Sequence, residues 1–509
     1  MPRLATSRRQ AAGCAPLPSA HTGSRYARHA PERTLLYAWV EAHYPDFIAR
    51  IEAEGRSLPG YVREAFDAYL RCGVLEHGFL RVVCEHCRAE RLVAFSCKKR
   101  GFCPSCGARR MAESARHLVE EVFGPRPVRQ WVLSFPYPLR FLFASKPEAI
   151  GPVLGIVQRV IAGWLADQAG IDRASAQCGA VTLIQRFGSA LNLNIHFHML
   201  WLDGVYVEAT ELPRRELRLH RARAPTTAQL TQLAATIAHR VCRHLTRKGW
   251  LEGEGESAFL ADSAAGDDSM DGLRMSSITY RIATGRDAGR KVVTLQTLPG
   301  DAGSLEGEAG KVGGFSLHAG VAAEAHESHK LEKLCRYITR PAISEQRLSI
   351  SPQGRVRYQL KTPWRNGTTH VEWDAVDFIA KLAALVPPPR AHLTRFHGVF
   401  APNANLRAQL TPSGRGKRPA GDAAPVDVSA HDEPRSPEQK RRAMSWAQRL
   451  KRVFSIDITT CAHCGGAVRI VASIEEPKTI RAILAHFEKH GALEQAHYRP
   501  AARAPPPAA

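Results

Sequence analysis

Three Cys-x-x-Cys pairs, Cys84/Cys87, Cys103/Cys106 and Cys461/Cys464, constrain this chain more than any hydrophobic pattern does. Twelve cysteines placed at random in 509 residues would give about 0.3 such pairs. Each pair needs a tight turn, and thiolates that meet need a cation between them. The Arg-rich N-terminus lacks an apolar secretory segment, so disulfides are not expected and the pairs read as zinc ligands. Cys84/Cys87 and Cys103/Cys106 lie 15 residues apart, the spacing of a zinc ribbon. Four thiolates leave no open position for water, so a structural Zn²⁺ is expected there. Cys97 sits between the pairs as an alternative ligand. Cys461/Cys464 has no later cysteine; His486 and His490 could complete it, or the turn could stay unmetallated beside solvent-facing histidines.

The second constraint is the stretch "NLNIHFHMLWLDG", Asn192 to Gly204. Side chains alternate faces along a strand, so His196 and His198 share one face while Phe197 and Met199 point the other way into a core. Twenty-two histidines yield about one His-x-His by chance, so the pair alone is weak evidence. Its apolar flanks strengthen it, because two buried imidazoles must be satisfied either by a neighbour or by a metal. Lys330, Lys333, Tyr337 and Arg340 fall on one face of an expected helix, with Leu331, Leu334, Cys335 and Ile338 opposite. A tyrosine among cations is placed to meet a phosphate, and the cations would also lower the phenol's pKa. A surface tyrosine on an amphipathic helix fits the spacing equally.

The charge narrows the partner. Seventy Lys+Arg against 48 Asp+Glu leave +22, which favours a polyanion. Lys98, Lys99 and Arg100 decorate the cysteine block and are candidate DNA contacts. No apolar run stands out at the ~18 residues of a membrane helix, so no membrane partner is expected.

The chain divides into a basic tail (1–34), a helical and zinc-binding region (35–125), a main domain (126–400) with an insertion at 252–310, a linker (411–443), a small C-terminal Cys-x-x-Cys module (444–495) and a tail (496–509). Strands are expected at Ala180–Phe187 and Leu193–Leu202 as a hairpin. A meander should follow over residues 347–373, with its second turn at Asn366-Gly367. Helices are expected over Ile150–Leu165, Leu230–Leu245, His326–Arg340 and Ala375–Leu385.

"NIHFHMLWLDG" and "LCRYITRPAIS" together resemble the rolling-circle transposases of the IS91 and ISCR (insertion sequence common region) type. These are HUH endonucleases, named for the His–hydrophobic–His triplet. "FSCKKRGFCPSCGARRM" is similar to the family's N-terminal zinc-binding domain, and the C-terminal "CAHCGG" block also looks like the family. The resemblance implies an α+β fold: an HUH-type antiparallel sheet with flanking helices, a helical zinc-binding module before it and a small module after it. It implies that His196 and His198, with a third ligand, hold Mg²⁺ or Mn²⁺. Gln185 on the partner strand is the candidate third ligand. It further implies that Tyr337 attacks single-stranded DNA at element ends or target sites, forming a 5′-phosphotyrosine, with Lys330, Lys333 and Arg340 near the phosphates. Two-tyrosine members carry a second tyrosine where this chain has Lys333, so the chain resembles the single-tyrosine subgroup, acting alone or as a homodimer. The setting implied is the bacterial cytoplasm, at the nucleoid.

Other readings are a plasmid replication initiator or relaxase of the same chemistry, a metal-dependent hydrolase of the barrel type, and a zinc-stapled nucleic-acid-binding protein without catalysis.

Overall fold

The computed structural model describes residues 30–209, 216–253, 259–261, 269–297, 309–414, 461 and 464–489. The tails at 1–29 and 496–509, most of the 411–443 linker and His490 lie outside them. Its centre is a six-stranded antiparallel sheet. From edge to edge the strands are Ala309–Val312, Phe315–Ala323, Val128–Ser134, Leu193–Leu202, Gly179–Phe187 and Thr394–Gly398. The histidine strand Leu193–Leu202 is therefore interior, paired on both sides. All strand pairings among the described residues are antiparallel, which excludes the parallel barrel of the hydrolase reading.

Alternation assigns the two faces of this sheet. Ile195, Phe197, Met199 and Trp201 are buried on one face. Helices Tyr137–Ser145, Ile150–Ala169 and Thr227–Arg247 share their core, with Trp131 edge-on to Trp164 at 5.5 Å. The stretch Pro147–Ala169 is long and apolar enough to cross a membrane by length and composition, which the sequence pattern did not suggest; here 61% of its most apolar window is buried inside the molecule.

The opposite face carries His196, His198, Leu200 and Leu202. Helix Ser328–Thr339 covers part of it with Leu331, Leu334, Cys335 and Ile338, the expected apolar stripe. Each such side chain contributes roughly 1.5–3 kcal/mol on burial, enough to fix which face of the helix looks outward. The helix stops at Thr339 rather than at Arg340, because a residue before proline is disfavoured in the helical region; Arg340 is extended, at φ −57° and ψ 153°.

A second core joins what the sequence divides at 125/126. Helices Leu35–Ala53 and Gly60–Arg71 pack with helix Ala375–Leu385 and the expected meander, Leu348–Ile350, Val356–Gln359 and Thr368–Trp373. Within the insertion Val293–Gln296 is a strand beside Thr368–Trp373; what its polar composition does not suggest is the helix Asp271–Ile278, whose Leu273 and Ile278 are buried.

The C-terminal segment is not a module of its own. Its strand Val468–Ile474 pairs with Phe79–Cys84, which also pairs with Glu90–Ala94, making a three-stranded sheet from both ends of the described chain. Helix Pro477–Lys489 closes that sheet through Ile480, Leu484 and Phe487 against Phe79 and Leu92.

Candidate active site and metal centres

The cysteines expected in one ribbon fall into two separate clusters. Cys103 and Cys106 meet Cys72 and Cys97, while Cys84 and Cys87 meet Cys461 and Cys464. In each set the four sulfurs lie within 4.8 Å of one another. Sulfur separations are 3.7 Å for Cys72–Cys106, 3.4 Å for Cys97–Cys106 and 3.8 Å for Cys72–Cys103. In the second set Cys84–Cys464 and Cys87–Cys461 are both 3.5 Å. Four sulfurs about 2.3 Å from one tetrahedral zinc stand about 3.8 Å apart, so both clusters suit structural Zn²⁺. In the first cluster the hydrogen bond between Cys103 and Cys106 pushes the Cys103 thiol far above the usual range and holds Cys106 far below it. Thiols this crowded cannot all ionise without a cation.

The regrouping has a physical cause. Cys84 ends one strand, and the neighbouring strand Val468–Ile474 brings Cys461 and Cys464 opposite it. Gly465, at φ 72°, and Gly466 allow that turn; a Cβ on Gly466 would lie 2.9 Å from Cβ of His86 and 3.3 Å from the sulfurs of Cys84 and Cys464. The Cys₂His₂ completion through His486 is thereby replaced. Cys97 does stand in a four-thiol set, and Cys72, at the end of helix Gly60–Arg71, belongs to no pair and carries no spacing signal.

On the large sheet, His196 and His198 are 8% and 5% exposed. Their Nε2 atoms are 3.1 Å apart. Nδ1 of His196 lies 2.9 Å from the Asn194 carbonyl, which can only accept, so Nδ1 bears the proton and Nε2 offers its lone pair. Nδ1 of His198 is 2.8 Å from the Gln130 side-chain amide. Either end of that amide can face the ring, so Gln130 can fix whichever tautomer His198 adopts. Burial pushes His196 down to about 4 and His198 down to about 3, which keeps both imidazoles neutral near pH 7. Two nitrogens about 2.1 Å from one ion at roughly right angles stand about 3.0 Å apart; the pair fits a divalent cation. Among the described residues no third His, Cys, Asp or Glu joins it in a cluster. Gln185 faces His196 across the ladder, and its Nε2 donates to the Ile338 carbonyl at 2.9 Å. It thus ties the histidine sheet to the tyrosine helix.

Tyr337 reaches the same place. Its ring centroid is 6.5 Å from that of His198, edge-on at 89°, and the side chain is 41% exposed. Arg340 lies over the ring at 4.3 Å and Lys361 at 4.5 Å. Of the cations expected beside the tyrosine, only Arg340 is placed there. Lys330 is engaged by Glu327 at 3.1 Å, and Lys333 faces a groove with Arg116, Glu332 and Arg336. Lys361 comes from the loop after Val356–Gln359, which no helical spacing could have connected to Tyr337. In the cysteine loop, Lys99 pairs with Glu64 at 3.0 Å, Lys98 takes a left-handed φ of 52° and gives its carbonyl to Arg110, and Arg100 donates to the Ala391 carbonyl.

Two family models match the chain. The one described as "Putative transposase" covers residues 179–407, which include His196, His198 and Tyr337. The one described as "Transposase zinc-binding domain", of the IS91 type, covers residues 39–135, which include six of the eight clustered cysteines. No curated protein and no solved structure matches. With a zinc-binding match leading and a transposase match following, the chain belongs to the IS91-type transposases.

Proposed function

We propose that the protein nicks and rejoins single-stranded DNA at insertion-sequence ends through a 5′-phosphotyrosine on Tyr337. The observation that supports this reading is the approach of an exposed tyrosine, flanked by Arg340 and Lys361, to a buried neutral imidazole pair. Tyr337 Oη replaces the 3′ oxygen on phosphorus. The phenol loses its proton and the departing 3′ oxygen gains one, so one phosphodiester is exchanged for another and no nucleotide cofactor is consumed. His196 and His198 would hold Mg²⁺ or Mn²⁺, which would supply Lewis acidity at the phosphate. Gln185 would be the third ligand through Oε1, its Nε2 being donated to the Ile338 carbonyl. Arg340 and Lys361 hold the phosphate oxygens and neutralise charge that builds on them. Reversal by a free 3′ hydroxyl rejoins strands; with Lys333 in place of a second tyrosine, that step uses the same Tyr337 or that of a second copy.

The test is incubation of the protein with labelled single-stranded oligonucleotides from the element's ends and Mn²⁺ or Mg²⁺. A denaturant-resistant, shifted band is expected, lost in Tyr337→Phe and on chelation. A band that survives Tyr337→Phe assigns the nucleophile elsewhere.

A further inference from the structure

Beside the tyrosine lies a cavity of about 360 Å³, the size of a small-ligand pocket. It opens where strand Gly179–Phe187 outruns its edge partner, which starts at Thr394. One wall is the residue run after Tyr337, Ile338 to Ala342. The other is the zinc-binding region, through Arg100, Gly107, Arg110 and Ser114. Arginines 100, 110, 186 and 340 all line it, and no carboxylate does. Among the described residues none of the four forms an ion pair, although Arg100, Arg110 and Arg340 each donate to a backbone carbonyl. Arg186 is 6% exposed and its Nε has no hydrogen-bond partner. Arg186 is buried, Arg110 and Arg340 are half-buried and Arg100 sits exposed at the rim; gathering four like charges around one cavity favours an anion to share them.

Arg340 joins this cavity to the nucleophile. Its guanidinium lies over the Tyr337 ring at 4.3 Å and over the Phe187 ring at 5.4 Å. A chain of phosphates running past Tyr337 would meet Arg340 next and then the cavity. Apolar Leu183, Ile338, Pro341 and Leu393 complete the lining and suit a base face. A duplex cannot place a stacked, paired base there; an unpaired strand can.

We propose that this cavity receives an unstacked nucleotide of the DNA strand, flanking the phosphate that Tyr337 attacks, and that the zinc-binding region supplies one wall of it through Arg100 and Arg110. This rests on the single-strand reading above. It gives the zinc-binding region a direct part in gripping substrate at the reaction centre, beyond holding the fold.

The test uses full-length Tyr337→Phe protein, so that binding is measured without chemistry. A fluorescent oligothymidine of about ten nucleotides is the probe, with a duplex of equal length as comparison. Arg100→Ala should weaken single-strand binding at least about fivefold and reduce the salt slope by about 0.7. Ser114→Phe fills the cavity while keeping every charge. It should weaken single-strand binding similarly and leave duplex binding unchanged. Zinc content equal to the parent's shows that each variant is folded at the cysteines. Parental single-strand affinity in both variants overturns the pocket while leaving the nicking reading intact. A Tyr337→Phe parent that binds no single strand at all overturns the reading beneath it, and the pocket with it.

Discussion

At the scale of single residues, the site depends on which imidazole nitrogen is bare. His196 is set by a carbonyl and needs no help. His198 depends on Gln130, which contacts it at 2.8 Å. Gln130→Leu keeps the volume and removes the partner. Mn²⁺ affinity, measured by calorimetric titration, should fall roughly tenfold or more, while Gln130→Glu, which can accept from Nδ1–H, should retain it. Equal affinity in Gln130→Leu would show that the ring needs no outer partner. The histidines and Tyr337 were legible because each sits in a periodic pattern that places it on a face. Gln130, Lys361 and Cys72 were not. They come from other elements, and only the folded sheet, loop or helix end brings them within reach.

At the scale of elements, the zinc helix Pro104–His117 lies directly on the end of the tyrosine helix. A Cβ on Gly107 would stand 2.6 Å from Cβ of Pro341, a rigid neighbour that cannot swing aside. Gly107→Ala gains up to ~1 kcal/mol of helix propensity, against about 1–3 kcal/mol for overpacking. The clash should win: the melting temperature falls, and covalent-adduct formation slows because Tyr337 shifts with its helix, while bound zinc is unchanged. A higher melting temperature with full activity would mean that the two helices are not fixed against each other. The helices themselves were readable from apolar stripes such as Leu230, Leu233, Ile237, Val241 and Leu245. Asp271–Ile278 carries no clear stripe because its Gly, Asp and Ser surroundings hide its two buried apolar residues, Leu273 and Ile278, whose partners are far away in sequence.

At the scale of the molecule, the second thiol cluster closes the chain on itself. Cys87 and Cys461 are 374 positions apart. By the chain-entropy relation for a covalent cross-link, closing such a loop is worth roughly 6 kcal/mol at most. The sequence showed each Cys-x-x-Cys pair but not which pairs meet, since any two pairs can share an ion and the choice is made by strand pairing between Phe79–Cys84 and Val468–Ile474. Wild-type protein should carry two zinc ions per chain by elemental analysis. Cys461→Ser with Cys464→Ser should carry one, with earlier proteolysis near residue 464; two zinc ions in that double variant would refute the pairing. The proposed chemistry requires Tyr337 and the imidazole pair to act on one phosphate. Peptide mass mapping of the protein–DNA adduct tests this most directly. Nucleotide mass is expected on the peptide containing Tyr337, with no adduct in His196→Ala. Nucleotide mass on any other peptide, or an undiminished adduct in His196→Ala, would contradict it.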